Sequence, residues 1–171
     1  VFEKTIPSVT DTSNFIDLYK RGCFVLETKQ GTDRDTSAPL SAAGQAAKKN
    51  LKTGHGIRGT PGWSAAMLRA HAQASTYARR LPKPEVTEGR PPFVVVVDVG
   101  YSIELFSDFD RNGGEYLHFP DPSSSRIYIK DLLRPEIRER LRAVWTDPLS
   151  LDPSRRSAKV TREIAKRSAQ L

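Results

Sequence analysis

Cysteine and long apolar runs are scarce in this sequence, and each scarcity excludes a class of protein. The chain of 171 residues has a single cysteine, Cys23, so it cannot form an internal disulfide bond and fits a reducing cytoplasm. No apolar run approaches the roughly 18 residues of a transmembrane helix, and no signal-peptide pattern is present. We therefore expect a cytoplasmic, soluble chain without a membrane partner, in which Cys23 is a small buried hydrophobic residue.

Acidic residues are scarce in two parts of the chain, and the net charge of +7 is uneven as a result. Residues 41–90 carry a net charge of +7 and residues 151–171 carry +4, whereas residues 1–40 and 91–150 carry −1 and −3. Such a basic surface either attracts a nucleic acid or simply keeps the protein solvated. The residues predicted to contact a nucleic-acid backbone are Lys48, Lys49, Lys52, Arg58, Arg69, Arg79 and Arg80.

Residues 14–30, NFIDLYKRGCFVLETKQ, have the pattern of a β-hairpin. Two runs of β-branched and aromatic residues, at 15–19 and 23–29, flank a turn at Arg21 and Gly22. Asp17 lies in the middle of the first strand, and Glu27 and Lys29 lie two apart on one face of the second. Three ionisable groups on so apolar a hairpin are costly unless they face a cleft and have partners, so the pattern predicts a functional site.

These residue types suit a metal-dependent hydrolysis. Asp17 and Glu27, with the backbone carbonyl of Thr28, could hold Mg²⁺, which prefers oxygen ligands and keeps several waters. The metal would polarise a phosphodiester and activate a bound water. Lys29 would orient that water or stabilise charge on the phosphate.

Asp17, Glu27 and Lys29 together resemble the PD-(D/E)XK nuclease motif. The segment FIDLYKRGCFVLETKQ is similar in sequence to the N-terminal nuclease region of the MmeI-like (type IIG/IIL) restriction-modification enzymes. The resemblance implies a restriction-endonuclease-like fold and an Mg²⁺-dependent endonuclease that cuts double-stranded DNA in phage defence. It also implies that one polypeptide carries a helical spacer, an adenine methyltransferase that uses S-adenosylmethionine, and a target-recognition domain.

The same resemblance implies further residues and an organisation for the chain. Gln73 and Tyr77, four apart on a predicted helix, match a supporting Gln-x-x-x-Tyr pair, and Gln30 follows the motif directly. Residues 1–150 would form the nuclease-like domain and residues 151–171 the start of the spacer. Separately, cutting two strands with one site per chain suggests that two chains meet transiently on DNA. We expect the chain to be a piece of a longer protein. Related nucleases often have a helix before the first strand that contributes a further acidic residue, and this piece lacks it. The isolated piece could therefore be inactive.

The remaining pattern predicts an α/β fold with a mixed sheet flanked by helices and a C-terminal helical extension. Strands are predicted at 1–6, 93–100, 101–106, 115–119 and 126–130, and helices at 41–50, 63–81, 131–146 and 157–171. The strand at 93–100 is a continuous β-branched run of the kind covered on both faces. Asp98, at its end, is interpreted as a residue that bonds to a loop.

Two other functions remain open at this point. One is a non-catalytic module that binds DNA or docks to another domain while keeping the nuclease fold. The other is a nuclease for RNA or for a particular nucleic-acid structure, since the motif does not specify the substrate. His55, in a glycine-rich loop, is interpreted as a polar loop residue.

Overall fold

A computed structural model describes residues 2–6, 14–33 and 56–168. The described strands form one mixed sheet in the order β1-β2-β3-β4-β5-β6, with β7 also paired to β5. They are β1 (Phe2–Ile6), β2 (Asn14–Lys20), β3 (Phe24–Lys29), β4 (Phe93–Asp98), β5 (Ser102–Ser107), β6 (Leu117–His118) and β7 (Arg126–Tyr128). The α-helices are α1 (Pro61–Arg80), α2 (Pro135–Thr146) and α3 (Pro153–Ser168). The predicted α/β class is confirmed.

The predicted hairpin and crossover are both present. Strands β2 and β3 are antiparallel, with Leu18 opposite Leu26. The turn between them has Gly22 at φ +70°, a backbone conformation that glycine adopts without strain. Strands β3 and β4 are parallel, with Glu27 beside Val96, and the chain passes between them through α1.

Helix α1 begins at a well-defined N-cap, and small alanine side chains form much of its buried face. The Oγ1 of Thr60 accepts from the backbone N–H of Trp63 at 3.4 Å, and Pro61 occupies the first helical position. Ala70, Ala74 and Ala78 are fully buried. Their short side chains let the helix lie close to β3 and β4.

The core has two layers, one on each face of the sheet. Val94 and Val96 pack with Ile16 and the buried side of α1, including Trp63 and Met67. The alternate residues of β4 face the other way and pack with a second cluster: Phe93, Val95, Leu105, Phe119, Ile127, Ile137, Val144 and Leu151. Cys23 belongs to this second cluster and donates to the carbonyl of Trp145 at 3.4 Å, which confirms its predicted role as a buried residue.

Several predicted boundaries in the C-terminal half were wrong. The strand predicted at 126–130 ends at Tyr128, because residues 129–133 form a 3₁₀-helix. The helix predicted from residue 131 begins instead at Pro135, since Arg134 precedes a proline and is held extended at φ −80°, ψ 123°. The helix predicted from residue 157 begins at Pro153, a favourable first helical residue. The strand predicted at 115–119 is only Leu117–His118.

The helix predicted at 41–50 and His55 lie outside the described residues. Among the helices that the structure describes, none has the length and apolar character needed to cross a membrane.

Candidate active site

The two predicted carboxylates lie on neighbouring strands. β2 and β3 are paired as far as Leu18 and Leu26, and Asp17 and Glu27 are the next residue of each strand beyond that pair. The Oδ2 of Asp17 accepts from the backbone N–H of Thr28 at 2.7 Å and from its hydroxyl at 2.6 Å. Asp17 is therefore fixed against β3 by two hydrogen bonds. Metal binding by the carbonyl of Thr28 stays a prediction.

Glu27 is a buried carboxylate with one unsatisfied oxygen. Only 4% of the residue is exposed. Its Oε1 accepts from Nζ of Lys29 at 2.6 Å, while Oε2 has no hydrogen-bond partner within the described residues. Burial raises the pKa of Glu27; Lys29 opposes the rise and Asp17 adds to it. A buried oxygen without a partner is costly; a proton would lower that cost by removing the charge, and a bound cation would satisfy the oxygen directly.

Lys29 is held at the site by its ion pair with Glu27. Its side chain is 22% exposed, against 5% for Glu27, so the ammonium group lies at the mouth of the site. The exposed Gln30 follows directly. The predicted grouping of Asp17, Glu27 and Lys29 on the hairpin is thus present in the structure.

Helix α1 brings Gln73 and Tyr77 to the same place. Nε2 of Gln73 donates to the hydroxyl of Tyr77 at 2.9 Å, and Tyr77 is buried. The side chain of Gln73 lies near enough to Glu27 to lower the pKa of that carboxyl, although it does not reach the unsatisfied Oε2. Gln73 therefore adjoins the carboxylates from the helix side.

The donor set fits a magnesium ion that keeps most of its waters. No group of three or more acidic, histidine or cysteine side chains suited to a metal occurs in the part of the chain that the structure describes. Asp17 and Glu27 would supply two hard oxygen ligands, and Mg²⁺ is usually held by one or two carboxylates. The unsatisfied Oε2 of Glu27 is the atom that such an ion would engage.

A second polar cluster lies beside the site and was not predicted as a unit. Asp98 is fully buried and accepts from the backbone N–H of Gly31 at 3.0 Å and from Nε1 of Trp63 at 2.8 Å. Arg58 donates to both of its oxygens, at 2.9 and 2.8 Å. Burial raises the pKa of Asp98, but the hydrogen bonds outweigh burial and hold that pKa below its usual range. This cluster fixes the chain immediately after Lys29.

Another ion pair on the same face of the sheet has a buried carboxylate and a partly exposed arginine. Nε of Arg126 lies 2.9 Å from Oε1 of Glu104, and its guanidinium carbon lies 4.6 Å from the ring centroid of Trp63. Glu104 adjoins Val96, which adjoins Glu27. The only sign of this pair in the sequence is Glu104, an acidic residue between the apolar residues of β5.

The structure places the predicted DNA contacts in different settings. The guanidinium of Arg58 donates to Asp98, Asp33 and the carbonyl of Val99. These bonds within the protein occupy the donors that a DNA phosphate would need. Arg79 donates to the carbonyls of Gly113 and Gly114 at 2.8 and 2.7 Å. Arg69 and Arg80 are exposed on α1, and Lys48, Lys49 and Lys52 lie outside the described residues. Their DNA contacts stay a prediction.

Comparison with known proteins gives one match. A family model described as "MmeI, N-terminal domain" matches residues 1–171, which is the whole chain. No curated protein and no solved structure matches it.

Proposed function

Because the chain belongs to the MmeI N-terminal domain family, we propose that it is the Mg²⁺-dependent DNA endonuclease domain of a restriction-modification protein. The observation that carries the proposal is the buried Glu27, which lies on the strand next to that of Asp17, is paired with Lys29 and retains one oxygen without a hydrogen-bond partner in the described part of the chain. A purely structural ion pair would be expected to satisfy both carboxylate oxygens. A site with an open oxygen suits a cation that arrives with its substrate.

Each residue has a role in phosphodiester hydrolysis. Asp17 and Glu27, with the carbonyl of Thr28, would hold Mg²⁺, which polarises a phosphodiester oxygen and lowers the pKa of a bound water. Lys29 orients the attacking water and stabilises charge on the phosphate. The attacking water gives up a proton to solvent as its oxygen forms a bond to phosphorus, the bond to the leaving oxygen breaks, and that oxygen takes a proton from solvent. Gln73, supported by Tyr77, positions Glu27.

The proposal includes partners beyond this chain. The substrate is double-stranded DNA, and cutting both strands with one site per chain calls for a transient dimer on the DNA. The same polypeptide would carry an adenine methyltransferase, in which S-adenosylmethionine binds, and a domain that reads the target sequence. Base readout would belong to that domain, since phosphate contacts carry no sequence information directly.

The test is cleavage by the protein produced at its full encoded length. We expect cleavage of plasmid DNA in Mg²⁺ by the wild type, and a loss of at least 100-fold in Asp17→Asn, Glu27→Gln and Lys29→Gln. DNA affinity, measured in Ca²⁺, should change little in these variants. Glu88→Gln is the matched control, because Glu88 is an exposed carboxylate in the connection between α1 and β4.

Two results would favour the alternatives. DNA affinity that is unchanged in every variant, without cleavage by the wild type, would favour a non-catalytic binding or docking module. Cleavage of RNA in preference to DNA, with the same dependence on Glu27, would keep the chemistry and change the substrate.

A further inference from the structure

A cavity of about 520 Å³ opens at the sheet edge beyond the carboxylates. Tyr101 and Tyr128 form its aromatic part, with ring centroids 5.5 Å apart and planes at 82°. Nζ of Lys130 lies 5.9 Å from the Tyr128 ring centroid, and Ile129 is 47% exposed. Space is open at Gly100, where an added Cβ would meet no atom within 4 Å. Aromatic and apolar walls beside an ammonium group suit a flat ring that is joined to a phosphate.

The aromatic part is held in place from behind. The guanidinium carbon of Arg58 lies 4.7 Å from the Tyr101 ring centroid. The Trp63 ring meets Tyr101 edge-on, at 5.6 Å and 86°. Both residues bind Asp98, so Tyr101 is tied to the polar cluster that fixes the end of β3. A ligand would find a surface that is already ordered, which lowers the cost of binding.

The cavity and the carboxylates lie at the same end of the sheet, where the carboxyl ends of several strands meet. β3 and β4 are parallel, while β5 is antiparallel to both β4 and β7, so β3, β4 and β7 all end at the same edge. Lys29 adjoins Asp98, Asp98 adjoins Ser102, and Ser102 adjoins Tyr128. Three strand spacings separate Lys29 from Tyr128, or about 14 Å. That is a span of a few nucleotides along a DNA strand.

We infer that this cavity is a stacking site for one base of the DNA strand that is being cut. The base rests against Tyr128 and Tyr101, and Lys130 neutralises the adjoining phosphate. The inference rests on the proposed function for its substrate, since it places the base a few nucleotides from the phosphate at Lys29. A base held there is unstacked from its neighbours, so the site requires the double-stranded substrate to be opened locally.

The experiment compares two labelled probes on the full-length protein in Ca²⁺: a 12-nucleotide deoxyadenosine strand, and the same strand with every base replaced by an abasic analogue. Tyr128→Ala should weaken binding of the base-containing strand about 10-fold and leave the abasic strand unchanged, because stacking needs the base. Tyr128→Trp should retain affinity. Lys130→Gln should weaken both probes equally, because it removes a phosphate contact.

A second measurement uses the wild type, so it does not depend on the folding of a variant. It also separates binding at the cavity from DNA binding by other domains. A strand with single 5-iododeoxyuridine substitutions, irradiated on the wild type, should crosslink to Tyr128 or Tyr101. Equal weakening of both probes by Tyr128→Ala, no weakening of either, or crosslinks to neither tyrosine would overturn the inference. Failure of the proposed function is separate: in that case Glu27→Gln leaves cleavage unchanged while the base-dependent effect of Tyr128→Ala persists.

Discussion

Nε1 of Trp63 donates to Oδ2 of Asp98 at 2.8 Å, and this bond joins the first turn of α1 to the end of β4. The same carboxylate accepts from the backbone N–H of Gly31, two residues after Lys29. One buried side chain therefore connects the helix that carries Gln73, the strand that carries Lys29, and the loop that carries Arg58. The geometry of the candidate site depends on that connection.

Removal of the Asp98 carboxylate should destabilise the protein strongly. Asp98→Ala leaves the Arg58 guanidinium, which is 13% exposed, and the Trp63 N–H without their buried acceptor. We expect a loss of about 3 kcal/mol in the free energy of unfolding, measured with urea. Asp110→Ala, at an exposed turn position, is the control and should change it by less than about 0.5 kcal/mol. A similar small change in Asp98→Ala would show that the cluster contributes little.

Glu27 should make stability fall as the pH rises. The pKa of Glu27 is higher in the folded state, because burial disfavours its charge. Between the usual glutamate pKa of about 4.3 and the raised folded value, the folded protein holds a proton that the unfolded chain has released. Wild-type protein in EDTA should therefore lose stability relative to Glu27→Gln as the pH rises through this window.

The measurement is urea unfolding of both proteins at a series of pH values in EDTA. Glu88→Gln serves as the control, because its exposed carboxylate should give no such difference. A difference between wild type and Glu27→Gln that does not vary with pH would contradict the raised pKa.

Magnesium should stabilise the wild type through the same carboxylate. A ligand that binds only the folded state raises its stability with concentration, by about 2.7 kcal/mol at one hundred times the dissociation constant. Added Mg²⁺ should raise the Tm of wild type and of Glu88→Gln, and leave that of Glu27→Gln unchanged. Equal shifts in all three proteins would place the ion elsewhere.

The hairpin could be predicted from sequence because its signals are local. Asp17, Glu27 and Lys29 lie within thirteen residues of one another, and the two-residue period fixes their faces. The Asp98 cluster could not be predicted, because Arg58 and Asp98 are 40 residues apart and meet only when α1 returns the chain to the sheet. The same limit applies to Arg79: its charge is visible in the sequence, but its bonds to Gly113 and Gly114 depend on the fold.

Gln73 should keep the acidic limb of the cleavage pH profile at a lower pH than it would have without that side chain. Its side chain lowers the pKa of Glu27, so Gln73→Leu, a change of similar size, should raise that pKa further. Under the proposed function the ionised carboxylate would hold the metal, so the acidic limb of kcat/KM against pH should move to higher pH. Tyr77→Phe keeps the buried ring and removes the hydroxyl that Gln73 binds, so it should shift the limb in the same direction by less.

The outcome that excludes this role is a fall in rate at every pH with no shift of the limb. That result would mean that Gln73 acts through packing alone. Glu88→Gln should leave both the rate and the limb unchanged.

Gly31 should tolerate no side chain, although its conformation is ordinary. A Cβ added there would lie 2.7 Å from Oδ2 of Asp98 and 3.1 Å from Cδ1 of Trp63. Asp98 is fixed by its other bonds, so the end of β3 must move instead, and Lys29 with it. We expect Gly31→Ala to lower the free energy of unfolding by about 1–3 kcal/mol and to reduce cleavage more than binding of DNA.

Gly62→Ala is the matched control. Gly62 lies within α1, and a Cβ added there would meet only Oγ1 of Thr60, at 3.8 Å. It should be neutral or stabilising by about 0.5–1 kcal/mol, so equal effects of the two substitutions would contradict the close approach at Gly31.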